Sequence, residues 1–323
     1  MNKLVINLAA AGLTLATMAG GALGQSYPER PVTLVVPWPA GGGSDTLMRL
    51  IAETAGESLG QPIVVVNQPG AGGSLALREV ADSEPDGYTM SMIATGFIAE
   101  QYGNPNAPVL DEFRVVAFVG TDPAVIAVGG GTGIETLDDL IAAAQAEPGA
   151  LRNGNDQPGG TSYVAASLME GVLDIDLTLV PYAGSAPVVQ AILAGEVQTA
   201  TPSITDLIAQ HEAGEVTILA VSGAERHFMA EDVPTLTELG YPLVTGTIRA
   251  LVVPDETPDE VFDVLEAAVL EGLSDEAFLE TARTSGFSIN PLAGEQAETF
   301  LQEMDESMYP VLDEAGLVKV RQK

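Results

Sequence analysis

The stretch Val35-Val36-Pro37-Trp38-Pro39-Ala40-Gly41-Gly42-Gly43-Ser44-Asp45 has the composition of an anion seat that needs no charged side chain. The apolar run Val32 to Val36 reads as a buried strand, a Pro- and Gly-rich turn follows, and a helical pattern opens at Ser44 or Asp45. The first N–H groups of such a helix lack internal partners, and its dipole puts partial positive charge at the same place. Similar turns close other strand-like runs: Asn67–Gly73, Thr95-Gly96, Gly159–Ser162, Tyr182–Ser185 and Pro202-Ser203. Gly, Ser and Thr donate hydrogen bonds without bulk, and in open parallel sheets such turns gather on one side, where ligands bind. The candidate ligand-binding residues are therefore Ala40, Gly41, Gly42, Ser44, Asp45, Ala71, Thr95, Gly160, Thr161, Ser162, Tyr182, Ala183, Gly184 and Ser203. Arg249 joins them as a basic residue inside the apolar run Thr247-Ile248-Arg249-Ala250-Leu251. It reads either as a fork onto a ligand carboxylate or as an edge-strand arginine paired with a surface acid.

Other chemistries have less support. Cysteine is absent, and the two histidines, His211 and His227, stand far from the glycine-rich turns in sequence and read as solvated surface residues. No Gly-x-Ser-x-Gly elbow occurs. Two separated histidines make no zinc set, and the carboxylates follow no calcium-loop spacing. Gly41-Gly42-Gly43 and Gly129 to Gly133 fail the dinucleotide fingerprint, and Gly154 to Gly159 lacks the Lys-Ser/Thr of a phosphate loop. No catalytic residue, metal or cofactor is expected.

The elements that must hold these turns alternate between strand-like and helix-like patterns, which implies mostly parallel sheets flanked by helices. Strands are expected at Val32–Val36, Ile63–Val66, Tyr88–Ala94, Val115–Val119, Val125–Val128, Leu177–Val180, Val197–Thr201, Val216–Val221 and Ile248–Val253. A helix beginning near Ser44 should stop at Gly60, Thr136-x-x-Asp139 should cap another, and Pro310 should kink or end the last, Gly294–Glu314. The pattern restarts after about residue 123, so two α/β lobes are expected. They are 27–123 plus 247–323, and 124–246, with the chain crossing twice as a two-strand hinge.

With 323 residues, 46% of them hydrophobic, the chain can bury cores for two lobes. The N-terminal 1–24 carries Lys3, an apolar run and the small-x-small site Ala22-Leu23-Gly24, and reads as a cleaved secretory signal rather than a retained anchor. Twelve basic against 45 acidic residues give a net charge of −33, which makes nucleic acid and anionic membrane surfaces poor partners.

Several motifs in order then match a family: Tyr27-Pro28-x-x-Pro31-Val32, the loop Pro37–Asp45, Asn67-x-Pro69-Gly70-Ala71-Gly72-Gly73, Pro85-Asp86-Gly87-Tyr88-Thr89, Val180-Pro181-Tyr182 and Asp232-Val233-Pro234-Thr235. Over essentially all of the mature chain it resembles the periplasmic solute-binding proteins of the tripartite tricarboxylate transporter family. The resemblance implies a type II periplasmic-binding fold, α/β in class, that captures a small carboxylate between its lobes. It also implies a periplasmic location, membrane permease subunits as partners, and action as a monomer without enzymatic activity. It implies that Ala40–Asp45 holds one carboxylate, while Gly160–Ser162 and Tyr182–Gly184 hold the distal end. Two departures stand out: Asp156 and Pro158 interrupt a turn that is usually compact, and Ala183 follows Tyr182 where a lysine is common. Two other classes fit the same pattern, a sensory protein docking on a receptor and a periplasmic enzyme acting on a small anion.

Overall fold

The computed structural model describes residues 27–314 and 316–323, so the expected signal segment 1–24 lies outside the described residues. In chain order the strands are β1 (Val32–Val36), β2 (Ile63–Asn67), β3 (Thr89–Ala94), β4 (Phe113–Pro123), β5 (Val125–Gly129), β6 (Arg152–Asn155), β7 (Thr178–Pro181), β8 (Thr199–Ala200), β9 (Val216–Val221), β10 (Gly246–Pro254) and β11 (Leu292–Ala293). The helices are α1 (Gly43–Leu59), α2 (Ser74–Ala81), α3 (Thr95–Gly103), α4 (Leu137–Ala146), α5 (Thr161–Leu173), α6 (Ser185–Leu193), α7 (Ile204–Glu212), α8 (Asp259–Leu273), α9 (Glu276–Thr284) and α10 (Gly294–Glu314).

Two sheets form, one in the order β11-β4-β10-β3-β1-β2 and one in the order β7-β6-β8-β5-β9. Both are mixed, which corrects the expectation of mostly parallel sheets. β1 pairs parallel with β2 and β3, and β6 pairs parallel with β7 and β8. β10 runs antiparallel to β3 and β4, and β5 runs antiparallel to β8 and β9. The reason is where the chain enters. β5 and β10 are the first strands after each crossing, so they start at the seam where β1 and β3 end and must run away from it.

Each sheet is covered on both faces by apolar clusters. α1 shows how sequence pattern becomes packing. Leu47, Met48, Ile51, Ala55 and Leu59 fall at helical spacing and are buried. The helix ends where Gly60 adopts φ 71° and donates its N–H to Glu57 O. α8 crosses so close that a Cβ on Gly272 would lie 2.6 Å from the Ala55 nitrogen. The expected cap of α4 is present, with Thr136 Oγ1 accepting from Asp139 N at 3.1 Å and Asp139 Oδ2 accepting from Thr136 N at 3.0 Å.

Other expectations are corrected. Thr95-Gly96 is not a turn but the start of α3, and eight of the nine α3 residues are buried, so no amphipathic period marks the helix. β6 is a polar strand, Arg-Asn-Gly-Asn, whose Asn153 and Asn155 are fully buried and hydrogen-bonded to each other. α10 spans Gly294–Glu314 as expected, with Pro310 inside the helix rather than ending it.

The chain passes between the sheets at Pro123–Val125 and again at Thr245–Gly246. These segments lie side by side. Ala124 N donates to Thr245 O at 3.2 Å, and Ser222 Oγ donates to both Ala124 O and Thr245 O. A Cβ on Gly246 would lie 2.3 Å from Asp122 O, so only glycine fits this crossing.

Candidate functional site

The glycine-rich loop after β1 is shaped by Asp45. Helix α1 starts at Gly43, earlier than its sequence pattern suggests, and Asp45 sits in its first turn without acting as the N-cap. Its Oδ2 accepts from Gly41 N at 2.9 Å, and its Oδ1 accepts from Asn67 Nδ2 and pairs with Arg49, each at 2.9 Å. Asn67, at the end of β2, also donates to Trp38 O at 3.0 Å, which ties the loop's far end to the same carboxylate. Burial pushes the Asp45 carboxyl up, but the hydrogen bonds from Arg49, Gly41 and Asn67 outweigh it and hold the group below its ordinary value.

Arg249 reaches the loop from β10. It is 2% exposed on an interior strand and pairs with the carboxylate of Asp122, itself 1% exposed. This replaces the edge-strand reading, because β10 lies between β3 and β4 and the partner acid is as buried as the arginine. Asp122 also accepts from Ser288 N at 3.0 Å, and Arg249 Nε donates to Ser44 Oγ at 3.3 Å.

The second lobe meets this loop with two acids. Gly43 N donates to Asp206 Oδ1 at 2.8 Å across the seam. Asp156 folds back on α5, with its Oδ2 accepting from Ser162 N at 3.1 Å and its N donating to Ser162 Oγ at 2.7 Å. Burial pushes both carboxyls above their ordinary values. Gly43, Arg249 and Ser185 oppose the shift at Asp206, and Ser162 opposes it at Asp156. Among the described residues neither acid has a cationic side chain within salt-bridge distance.

Between the lobes lies a cavity of about 30 Å³, room for a water rather than an organic acid. It is lined by Trp38, Pro39, Gly42, Ser44, Asp45, Ala94, Asp156, Thr161, Ser185, Ser203, Asp206, Thr247 and Arg249. The lobes are drawn together around it. Gly96 N donates to Thr161 Oγ1 at 2.9 Å, Ser203 and Thr247 share a hydroxyl hydrogen bond, and a Cβ on Gly184 would lie 3.0 Å from Pro39. A much larger cavity, about 820 Å³, is lined by hinge residues together with α5 and α10 residues such as Leu168, Met304 and Met308.

Six of the sequence-predicted residues line the small cavity: Gly42, Ser44, Asp45, Thr161, Ser203 and Arg249. The others stand apart from it. Ala40, Gly41 and Ala183 are exposed. Ala71 lines a different interlobe crevice beside Glu100. Thr95 Oγ1 donates to Gly246 O at 2.6 Å and accepts from Ile248 N at 3.0 Å, so it staples α3 to β10 and lines the larger cavity. Gly160 backs onto Gly96, and Ser162 is taken up by Asp156. Tyr182 packs on the second-lobe core, and Gly184 lies against Pro39 and Trp38. Among the cavity-lining residues, sequence reasoning missed Trp38, Pro39, Ala94, Asp156, Ser185, Asp206 and Thr247. Asp206 had a signal, an acid in the first turn of a helix that follows one of the called turns. Thr247 is two residues from Arg249 on the same strand and so shares its face. His227, expected on the surface, is 4% exposed and hydrogen-bonded through Nε2 to Gly286 O at 3.0 Å. Burial lowers its pKa. No group of three or more His, Cys, Asp or Glu side chains is placed to hold a metal among the described residues.

Residues 47–317 match the family model described as "Tripartite tricarboxylate transporter family receptor". Solved structures agree over nearly the whole chain. The periplasmic binding protein BugD is 28% identical with a TM-score of 0.86, covering 91% of this chain and 100% of that one. MatC from Rhodopseudomonas palustris, solved with bound malate, is 28% identical with a TM-score of 0.81, covering 91% and 100%. A further protein of that organism, solved with adipate, is 29% identical with a TM-score of 0.82, covering 90% and 98%.

Proposed function

The chain belongs to the tripartite tricarboxylate transporter receptor family, and on that premise we propose that it captures a small carboxylate-bearing metabolite between its lobes and hands it to a membrane permease. The observation that carries this reading is the convergence of Gly42, Ser44, Thr161, Ser203 and Arg249, from both sheets, on one cavity beside a two-strand hinge. The malate and adipate carried by the relatives support a carboxylate as the ligand class. The lobes are 27–123 plus 247–323, and 124–246, and the working form is a periplasmic monomer released from its signal segment.

Capture begins with opening about the hinge, because the closed cavity is too small for an organic acid. Opening gives up the Gly43–Asp206 and Gly96–Thr161 hydrogen bonds. The ligand carboxylate then takes backbone N–H groups of the first loop and hydroxyls from both lobes. A hydrogen bond to a charged group is worth about 1.5–3 kcal/mol net, and a helix N-terminus adds about 0.3–1 kcal/mol. Four or five contacts give about 8–12 kcal/mol gross, and ordering and closure costs bring this toward the ~8 kcal/mol of micromolar binding. No group placed for covalent or general-base chemistry enters this cycle. The ligand leaves unchanged.

A thermal-shift screen of mono-, di- and tricarboxylates and amino acids tests the reading. A ligand at 100 times its dissociation constant adds about 2.7 kcal/mol of stability. At least one carboxylate should raise the melting temperature with a saturable dose response. If no carboxylate-bearing compound shifts it at millimolar concentration, the reading fails.

A further inference from the structure

Resting on the reading of this cleft as the ligand site, we propose that its ligand carries a cationic amine remote from its carboxylate, an amino-acid-like zwitterion rather than a dicarboxylate, and that Asp206, with Asp156 nearby, receives the amine.

The cavity wall carries four charged side chains: Asp45, Asp156, Asp206 and Arg249. Two of these are already compensated. Arg249 pairs with Asp122, and Asp45 pairs with Arg49. Asp156 and Asp206 remain. Their hydrogen-bond donors are N–H and hydroxyl groups, Arg249 favours the Asp206 charge only from beyond salt-bridge distance, and Asp206 raises the cost of ionising Asp156. Burying a carboxylate without a cation is costly, and burying two in one cavity more so. A dicarboxylate would add two further negative charges and find no uncompensated cationic side chain among the described cavity-lining residues. An ammonium group would reverse that balance.

The N–H groups point the same way. Those that sequence reasoning offered to a ligand anion are held by the chain's own acids: Gly41 by Asp45, Gly43 by Asp206 and Ser162 by Asp156. Asp206 is the one of these that spans the seam. When a zwitterion enters, Asp206 exchanges the Gly43 N–H for the ligand ammonium, and that N–H passes to the ligand carboxylate. A dianion would displace Asp206 and leave its charge with nothing in return. An unpartnered hydroxyl lies beside the Gly43–Asp206 bond. The hydroxyl of Thr205 is buried without a hydrogen-bond partner and lies 3.1 Å from the position of a Gly43 Cβ. An ammonium brings three donors, enough for Asp206 and Asp156 on the cavity wall.

The test is calorimetry at pH 7.5 and physiological salt with pairs that differ only in an ammonium replacing a carboxylate: 5-aminopentanoate against adipate, and 3-aminopropanoate against succinate, with α-alanine and malate added. At least one amino acid should bind at least about tenfold more tightly than every dicarboxylate, since like charges brought together cost several kcal/mol. In Asp206→Asn that amino acid should weaken by about tenfold or more, while the dicarboxylates should strengthen. A wild-type protein that takes malate, adipate or succinate as tightly as any amino acid overturns the proposal and leaves the carboxylate reading intact. If Asp206→Asn folds, by circular dichroism, and binds the amino acid unchanged, the role of Asp206 is overturned. If it does not fold, the wild-type comparison decides. Failure of both compound classes, together with no shift in the wider screen, sinks the carboxylate reading and this proposal with it.

Discussion

Asp45 and Asp206 are both buried-edge carboxylates that accept from backbone N–H groups of the same glycine loop, yet their surroundings give them opposite tasks. Asp45 belongs to the loop's own lobe and has Arg49 one helical turn away. Its carboxyl is held below its ordinary value, and it fixes the loop through bonds made entirely within that lobe. Asp206 comes from the other lobe, has no cation within salt-bridge distance among the described residues, and reaches the loop across the seam. Its carboxyl is pushed up by burial. A compensated acid builds a site. On the proposed reading, an uncompensated one at the seam responds to the ligand. Arg249 and Asp122 sharpen the contrast, since this pair is more deeply buried than either acid but sits beside the hinge and closes on itself.

The largest effect expected comes from breaking that closed pair. Arg249→Ala leaves Asp122 buried without its cation and should cost about 3–5 kcal/mol in chemical denaturation, whereas Arg249→Met with Asp122→Leu should recover most of it. A loss under about 1 kcal/mol in the single variant would mean that the pair is solvated and the contrast with Asp206 is false. A medium effect is expected at the seam. A Cβ on Gly96 would lie 2.6 Å from Thr161 N, so Gly96→Ala should hold the lobes apart. Overpacking of this kind costs about 1–3 kcal/mol, which should appear as about a five- to hundredfold loss of ligand affinity. Unchanged affinity would show that this contact plays no part in closure.

The smallest effect is a pH dependence. A carboxyl whose folded pKa is raised binds its proton more tightly folded than unfolded, so the folded state gains stability as pH falls from neutral toward the ordinary carboxylate value of about 4. Asp206 and Asp156 act in this sense. His227, lowered by burial, acts in the opposite sense as pH falls through its ordinary value. Asp45, lowered, loses its contribution only below the ordinary carboxylate range. The readout is therefore a difference: between pH 7.5 and 5, wild type should gain melting temperature relative to Asp206→Asn but not relative to Asp45→Asn. Parallel curves for wild type and Asp206→Asn would remove the distinction between the two acids.

Most of the elements and the glycine loop were legible in the residues alone. β1 and β9 are apolar runs, α1 carries its core face at helical spacing and stops at Gly60, and Thr136 with Asp139 caps α4. These follow from propensity, period and local hydrogen bonding, which act over a few residues. α3 and β6 escaped notice because one is buried all round and the other is polar, so neither shows a period. Three features came from long-range packing: β5 and β10 run against their neighbours, Arg249 is consumed by Asp122, and Asp206 bridges to Gly43 from 163 positions away. Pairings of that kind depend on where the chain re-enters a sheet and on how two lobes meet. No short-range pattern encodes a contact whose partners are chosen by the geometry of closure.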